Sequence, residues 1–326
     1  MKRGVNRRSV LQGAAALAAS GPASGQAQQI YSGKTVKLVT GFQTGTPADM
    51  IGRVIGPQLA GRLGGNFIID PHPGAGERLA MQLVASAPAD GKTLLIMTGS
   101  QAVVSATDRH LRYDMVKDFR YVSMLVRYPL MIAVSSGSKF RTLADLVDAA
   151  HRNPEKLSYG SAGVGTITHL AMELFCRQAG IKMTNVPYTG GTRTAMDLEN
   201  GGIDCWVTVL TSAQGLINAG TLRVLAVSTR ERDPLLPDVP PMSESVSDYD
   251  VATWLALAAP AGTADDVIEA LHDALAKILV EPDAQARARA LGLSPAPNTP
   301  SEMQARVVAD LAKWRPFAAL VDDAGK

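Results

Sequence analysis

Residues 157–171 read L-S-Y-G-S-A-G-V-G-T-I-T-H-L-A. Leu157-Ser158-Tyr159 has the character of a strand, Gly160 to Gly165 is a glycine-rich loop, and Thr168 to Ala179 carries a helical pattern. A strand that passes through glycines into a helix is the unit of a parallel sheet covered by helices. The glycines are spaced G-x-x-G-x-G, which is not the dinucleotide fingerprint, and no phosphate-binding lysine follows. The loop does offer the hydroxyls of Ser161 and Thr166, with Gly163 in the turn and the amides around Gly165 at a helix start. A positive helix end with two hydroxyls can neutralise a carboxylate without Lys or Arg.

The same grammar recurs on both sides. Strand Thr35–Thr40 leads through G-F-Q-T-G-T-P-A-D at 41–49 into a helical pattern with Met50, Val54, Ile55 and Leu59. Phe42, Gln43, Thr44, Gly45, Thr46 and Asp49 are ligand-binding candidates there. Gly45 allows close backbone approach and Thr44 and Thr46 add hydroxyls, whereas Asp49 suits a helix cap better than contact with an anion. In V-P-Y-T-G-G-T-R at 186–193, Tyr188 is a candidate cleft wall and Arg193 a solvated first-turn residue. In D-C-W-V-T at 204–208, Thr208 ends a strand facing the cleft and Trp206 belongs to the core.

Further strands are expected at Asn66–Asp70, Thr93–Met97, Leu130–Val134, Thr184–Pro187, Ile203–Val209, Leu222–Val227 and Thr253–Ala258. Helices are expected at Leu79–Ala87, Leu143–His151, Arg193–Asn200, Ala264–Val280 and Ser301–Leu320, with an irregular connection from Pro234 to Pro241. Two successive α/β blocks followed by C-terminal helices suit two lobes. Ligands in such open sheets gather beyond the carboxyl ends of the strands, which here are the glycine-rich loops.

The chain has 326 residues, 46% of them hydrophobic and 19% charged, enough for two cores, and no apolar run long enough to span a bilayer. Residues 1–27 read as an export leader: Lys2, Arg3, Arg7 and Arg8, then the Ala-rich run Val10–Ser20, then small residues ending at Ala27. The pair Arg7-Arg8 resembles a twin-arginine signal. The leader carries four basic and no acidic residues, so a chain starting at Gln28 falls from a formal charge of +2 to −2. No basic block remains, which argues against a nucleic-acid partner.

Cys176 and Cys205 read as two small buried hydrophobes, although export would permit a disulfide. The five histidines show no metal spacing, and no G-x-S-x-G elbow occurs. Ser161 and His169, eight residues apart on one loop and helix, do not supply a nucleophile, a base and its orienter; His169 caps or packs locally. No catalytic residue, metal or cofactor is expected.

Taken in order, K-T-V-K-L-V-T-G-F at 34–42, P-G-A-G at 73–76, A-D-G-K-T-L-L at 89–95, Y-D-M-V-K-D-F at 113–119, the stretch 157–171, V-P-Y-T-G at 186–190, L-R-V-L-A-V-S at 222–228, L-L-P-D-V-P at 235–240 and A-P-A-G-T at 259–263 resemble the Bug family. These are the periplasmic receptors of tripartite tricarboxylate transporters. The resemblance implies a type II periplasmic-binding-protein fold, two α/β lobes joined by a hinge with the ligand cleft between them. It assigns 28–128 with 252–326 to one lobe and 129–251 to the other. It implies capture of a small carboxylate by Phe42–Asp49 and Ser161–Thr166, with Thr208 where many members carry an acidic or polar residue. It also implies membrane transport subunits as partners, a monomer, and a periplasmic location after cleavage near Ala27. The first loop departs from the family's P-F-P-P-G-G-x-T-D: Gln43 and Thr44 replace prolines, Thr46 a glycine and Ala48 a hydroxyl residue, and His72 stands where Arg is common. Gln43 and Thr46 are therefore expected to add hydrogen bonds to a distal polar group. The other readings are a sensory protein of the same fold acting on a membrane kinase, and an exported α/β enzyme, which the missing catalytic constellation disfavours.

Overall fold

The computed structural model describes residues 30–108 and 110–324, so the leader read over 1–27 lies outside the described residues. Chain order is β1 (Thr35–Thr40), α1 (Pro47–Leu63), β2 (Asn66–Pro71), α2 (Arg78–Ala85), β3 (Thr93–Thr98), α3 (Gly99–Thr107), β4 (Phe119–Pro129), β5 (Met131–Ser135), α4 (Leu143–Arg152), β6 (Ser158–Ser161) and α5 (Ile167–Ala179). It continues with β7 (Thr184–Pro187), α6 (Gly191–Glu199), β8 (Cys205–Thr208), α7 (Leu210–Asn218), β9 (Leu222–Val227), β10 (Ala252–Pro260), α8 (Asp265–Ile278), α9 (Pro282–Ala290), β11 (Ser294–Pro295), α10 (Pro300–Trp314) and α11 (Ala318–Ala324).

These strands form two mixed sheets, one per lobe. The first runs β11-β4-β10-β3-β1-β2, and the second β7-β6-β8-β5-β9. In the first, β1 lies parallel to β2 and β3, while β10 is antiparallel to β3 and β4. In the second, β6 is parallel to β7 and β8, while β5 is antiparallel to β8 and β9. Helices cover both faces of each sheet. In the first lobe Ile51, Ile55 and Leu59 of α1 pack with Leu271 and Leu275 of α8 on one face, and Met81 and Val84 of α2 with Met303 and Val307 of α10 on the other. In the second, Leu146 of α4 and Phe175 of α5 fill one face, and Leu198 of α6 and Ala213 of α7 the other.

The lobes join where β4 runs through Leu130 into β5 and where the chain returns from β9 to β10. Ser228 sews these two crossings together. Its amide donates to Leu130 O (2.9 Å), its Oγ accepts from Leu130 N (2.8 Å), and its carbonyl accepts from Val251 N (2.8 Å).

Five elements escape the sequence reading, the two-residue β11 among them. The eleven-residue β4 is buried on both faces except at its two arginines, so it shows no alternation to read. Gly99 opens α3 and Gly215 interrupts α7, each weakening the helical signal. In α9 only Ala284 and Ala288 are buried, too small to mark an apolar stripe. The last helix also differs from the expected single span Ser301–Leu320. Pro316 cannot donate its amide, so α10 ends at Trp314 and a 3-10 turn, Arg315–Phe317, precedes α11. That break carries the chain end away from the first lobe. Trp314 and Phe317 pack in the second-lobe core with Phe175, and the Arg177 guanidinium lies 4.4 Å from the Phe317 ring centre. Both cysteines are buried and free.

Candidate ligand-binding cleft

The loop from β6 to α5 is held by its own side chains. Gly163 and Gly165 adopt positive φ (123° and 76°), which lets the chain turn tightly enough for short-range pairing. Ala162 N donates to Thr168 Oγ (2.9 Å), Gly163 N to Ser161 Oγ (3.2 Å), and Gly165 N to His169 Nδ1 (3.1 Å). Thr166 Oγ donates to Gly163 O (2.6 Å) and lies 3.0 Å from Thr168 Oγ, while His169 N donates to Thr166 Oγ (3.4 Å). The amides of Gly163 and Gly165 are therefore spent inside the loop. The amides left without a partner among the described residues at this helix start are those of Ile167 and Thr168. They lie one and two residues beyond the Ser161–Thr166 cradle read from sequence. His169 is buried, and burial pushes its pKa down, so its ring stays neutral and keeps Nδ1 as an acceptor.

The loop from β1 to α1 is built differently. Asp49, 2% exposed, accepts from Gly45 N (2.9 Å) and pairs with Arg53 (2.9 Å). The Arg53 guanidinium first, and the Gly45 amide after it, hold this carboxyl below the usual range against the effect of burial. Thr46 Oγ donates to Gln43 O (2.9 Å). Gln43, Thr44 and Gly45 are exposed.

Two cavities adjoin between and beside these loops. The larger, about 960 Å³, lies between the lobes. Phe42, Glu77 and Arg78 wall it from the first lobe, Ser100 and Thr107 from α3, and Ala162 with Val164–Thr168 from the second lobe. The smaller, about 190 Å³, is walled by Ser161, Tyr188, Thr194, Trp206 and Thr208. Ala162 and Thr168 wall both.

Of the residues singled out in the sequence, Phe42, Gly165 and Thr166 face the larger cavity, and Ser161, Tyr188 and Thr208 the smaller. Gly163 shapes the loop and walls neither. Gln43, Thr44, Gly45, Thr46 and Asp49 wall neither cavity, and Asp49 turns inward as the organiser of its loop. Trp206 is both a buried core residue and a wall of the smaller cavity, and Tyr188 is fixed by donating to Asp197 (2.9 Å). Arg193 is an exposed partner of Asp197, as read.

The sequence reading missed Thr168 and Glu77. Thr168 stood inside the decisive stretch, one residue past the helix start, where first-turn amides and hydroxyls remain unsatisfied. Glu77 follows P-G-A-G directly, and only its backbone conformation sets it apart. Among the described residues no group of His, Cys, Asp or Glu is placed to hold a metal ion.

The receptor model of the tripartite tricarboxylate transporter family, TctC, matches residues 51–321. A protein of Pseudomonas sp. (strain P51), named UPF0065 protein in the tcbD-tcbE intergenic region, is 31% identical over 313 residues, covering 95% of this chain and 93% of the relative. R. palustris Rpa4515, solved with adipate, superposes with a TM-score of 0.78 at 33% identity over 88% of this chain and 97% of its own. MatC from Rhodopseudomonas palustris, solved with bound malate, gives 0.74 at 27% identity over 87% and 98%. The match over most of the length and the shared two-lobed architecture agree with the resemblance carried by residues 34–263: the chain belongs to the tripartite tricarboxylate transporter receptor family, among its Bug-type members.

Proposed function

We propose that this protein is a periplasmic receptor that captures a small organic acid between its lobes and delivers it to the membrane subunits of a tripartite tricarboxylate-type transporter. The observation that carries the reading is the start of α5. There the two unpartnered amides of Ile167 and Thr168 lie at the positive end of α5 on the wall of an interlobe cavity, an arrangement that suits a carboxylate. The relatives solved with adipate and malate support the same ligand class.

In this reading the lobes divide as 28–128 with 252–326, and 129–251, except that the chain end from Trp314 packs across onto the second lobe. The protein works as a monomer, exported on a twin-arginine leader cleaved near Ala27. Ligand contacts with both lobes drive closure about the Ser228 crossings, bringing Phe42 to Asp49 over the acid held by Ser161–Thr168, with Tyr188 and Thr208 behind it. Hydrogen bonds without a metal or covalent bond suit a protein that must release its cargo, and no cofactor or chemical step is required.

A thermal-shift screen of the purified protein against mono-, di- and tricarboxylates and neutral solutes tests this. A ligand at a hundredfold its dissociation constant adds roughly 2.7 kcal/mol, several degrees in melting temperature. Shifts confined to acids support the reading, and shifts with neutral solutes alone overturn it.

A further inference from the structure

Glu77 occupies a position that ordinary stability would not choose. Three non-glycine residues have positive φ among the described residues, Glu77 (70°), Glu155 and Asp248, and Glu77 alone of them is buried, at 5% exposure. An L-residue in the left-handed region costs about 1–2 kcal/mol, and a buried carboxyl facing no cation costs more. Strain retained in this way is a pointer to function.

Its surroundings place it at the carboxyl edge of the parallel strands. Thr98 Oγ, at the end of β3, donates to both carboxylate oxygens (2.8 and 3.0 Å). At the end of β1, a Cβ added to Gly41 would lie 2.5 Å from the Glu77 Cβ, so the chain here is closed tightly around this one side chain. Glu77 then forms part of the wall of the interlobe cavity, across which stands the start of α5.

The charged wall of that cavity is unbalanced. Arg78 also walls the cavity, with its guanidinium paired to Asp108 (2.5 Å) and its Nε buried without a partner. His110 stands exposed at the rim. The other titratable groups acting on this corner are the hydroxyls of Tyr113 and Tyr128. Among the described residues no cation pairs with Glu77. Burial pushes its carboxyl up to about 8, against the Thr98 and Gln101 hydrogen bonds, which pull it down.

We infer that Glu77 sets the ligand class, selecting an acid whose far end carries an ammonium or similar cationic donor over one that carries a second carboxylate. This rests on the receptor reading above, with the near carboxylate at the amides of Ile167 and Thr168. An ammonium beside Glu77 supplies the missing countercharge, and the carboxyl gives up its proton as the ligand enters. A second carboxylate meets the Glu77 acid beside an Arg78 already paired with Asp108.

Isothermal titration of the purified protein with 5-aminopentanoate and adipate, which share a four-methylene chain, separates the outcomes. The expected result is a preference for the amino acid of about tenfold or more, with release of close to one proton per ligand near pH 7, read from buffers of different ionisation enthalpy. Glu77→Gln keeps the shape and should abolish both the proton release and the preference. Glu77→Gly, which also relieves the left-handed backbone, guards against a folding defect and should behave in the same way. Equal or stronger binding of adipate by the unmodified protein, or an affinity ratio unchanged in both variants, overturns the role of Glu77 and leaves the receptor reading standing. Binding of no acid of any class overturns both.

Discussion

Both lobes present a strand that runs through glycine into a helix, yet the loop at 160–169 ties down its own amides while the loop at 41–49 leaves Gln43, Thr44 and Gly45 in solvent. In the second loop Ser161, Thr166, Thr168 and His169 each satisfy a backbone group, so its cavity wall exists before a ligand arrives. In the first, one buried Asp49 organises the turn and only Phe42 reaches the cavity. The difference teaches that glycine spacing announces a loop near a site, whereas preorganisation depends on which hydroxyls can reach back. A preorganised surface forfeits less ordering entropy on binding, so in the proposed receptor reading the second loop is the anchor and the first the closing half.

The largest effect expected from breaking this asymmetry is at Thr168. Thr168→Val removes the acceptor of the Ala162 amide and a hydroxyl from both cavities, and acid affinity should fall about 10- to 100-fold, roughly 1.4–2.7 kcal/mol. Calorimetric titration reads this directly; an unchanged affinity would deny the second loop its anchoring role.

Asp49→Asn strikes the organiser of the first loop. It should cost about 1–2 kcal/mol in denaturant unfolding, at the lower end because Arg53 is more than half exposed. The Asp49 carboxyl is held low in the folded protein, so its stabilisation is present above the unfolded value of about 3.9 and fades as pH falls through the lowered folded value. The gap between wild type and variant should therefore close in acid.

His169 provides a smaller, pH-dependent probe of the second loop. Its pKa is lowered by burial from 6.5, so the stability it contributes is full above that value and is lost as pH falls toward the folded value. Protonation removes the acceptor for the Gly165 amide, whose protection against hydrogen exchange relative to its intrinsic rate should fall in mild acid while protection in the Thr98 region holds. His169→Gln should flatten that pH response.

The smallest effect belongs to the exposed first loop. Alanine at both Gln43 and Thr46 should weaken binding about two- to fivefold, under roughly 1 kcal/mol, through contacts made on closure. No change at all in titration would confine the site to the second lobe and α3.

Much of this arrangement was legible in the residues. The strand–glycine–helix stretches marked both loops because glycine and hydroxyl residues at a helix start leave chemistry no other local pattern leaves. The alternating Thr35–Thr40 and the run Leu222–Val227 were found at their observed bounds. Strand β4 was not, since burial on both faces erases the two-residue period. Nor was the position of Thr168, whose side chain is defined by a hydrogen bond six residues back.

What the sequence determined alone was local and cumulative: two α/β blocks, cysteines fit for burial, and an ordered series of motifs that named the family. Only the tertiary structure decided which of those motifs meet. It joined the two crossings at Ser228, carried Trp314 and Phe317 past Pro316 into the second lobe, and turned Asp49 away from the cavity while bringing Glu77 to it. The physical reason is that spacing along the chain fixes which groups a turn leaves unpaired, whereas packing between distant elements fixes which of them face the cavity and which charge goes unanswered there.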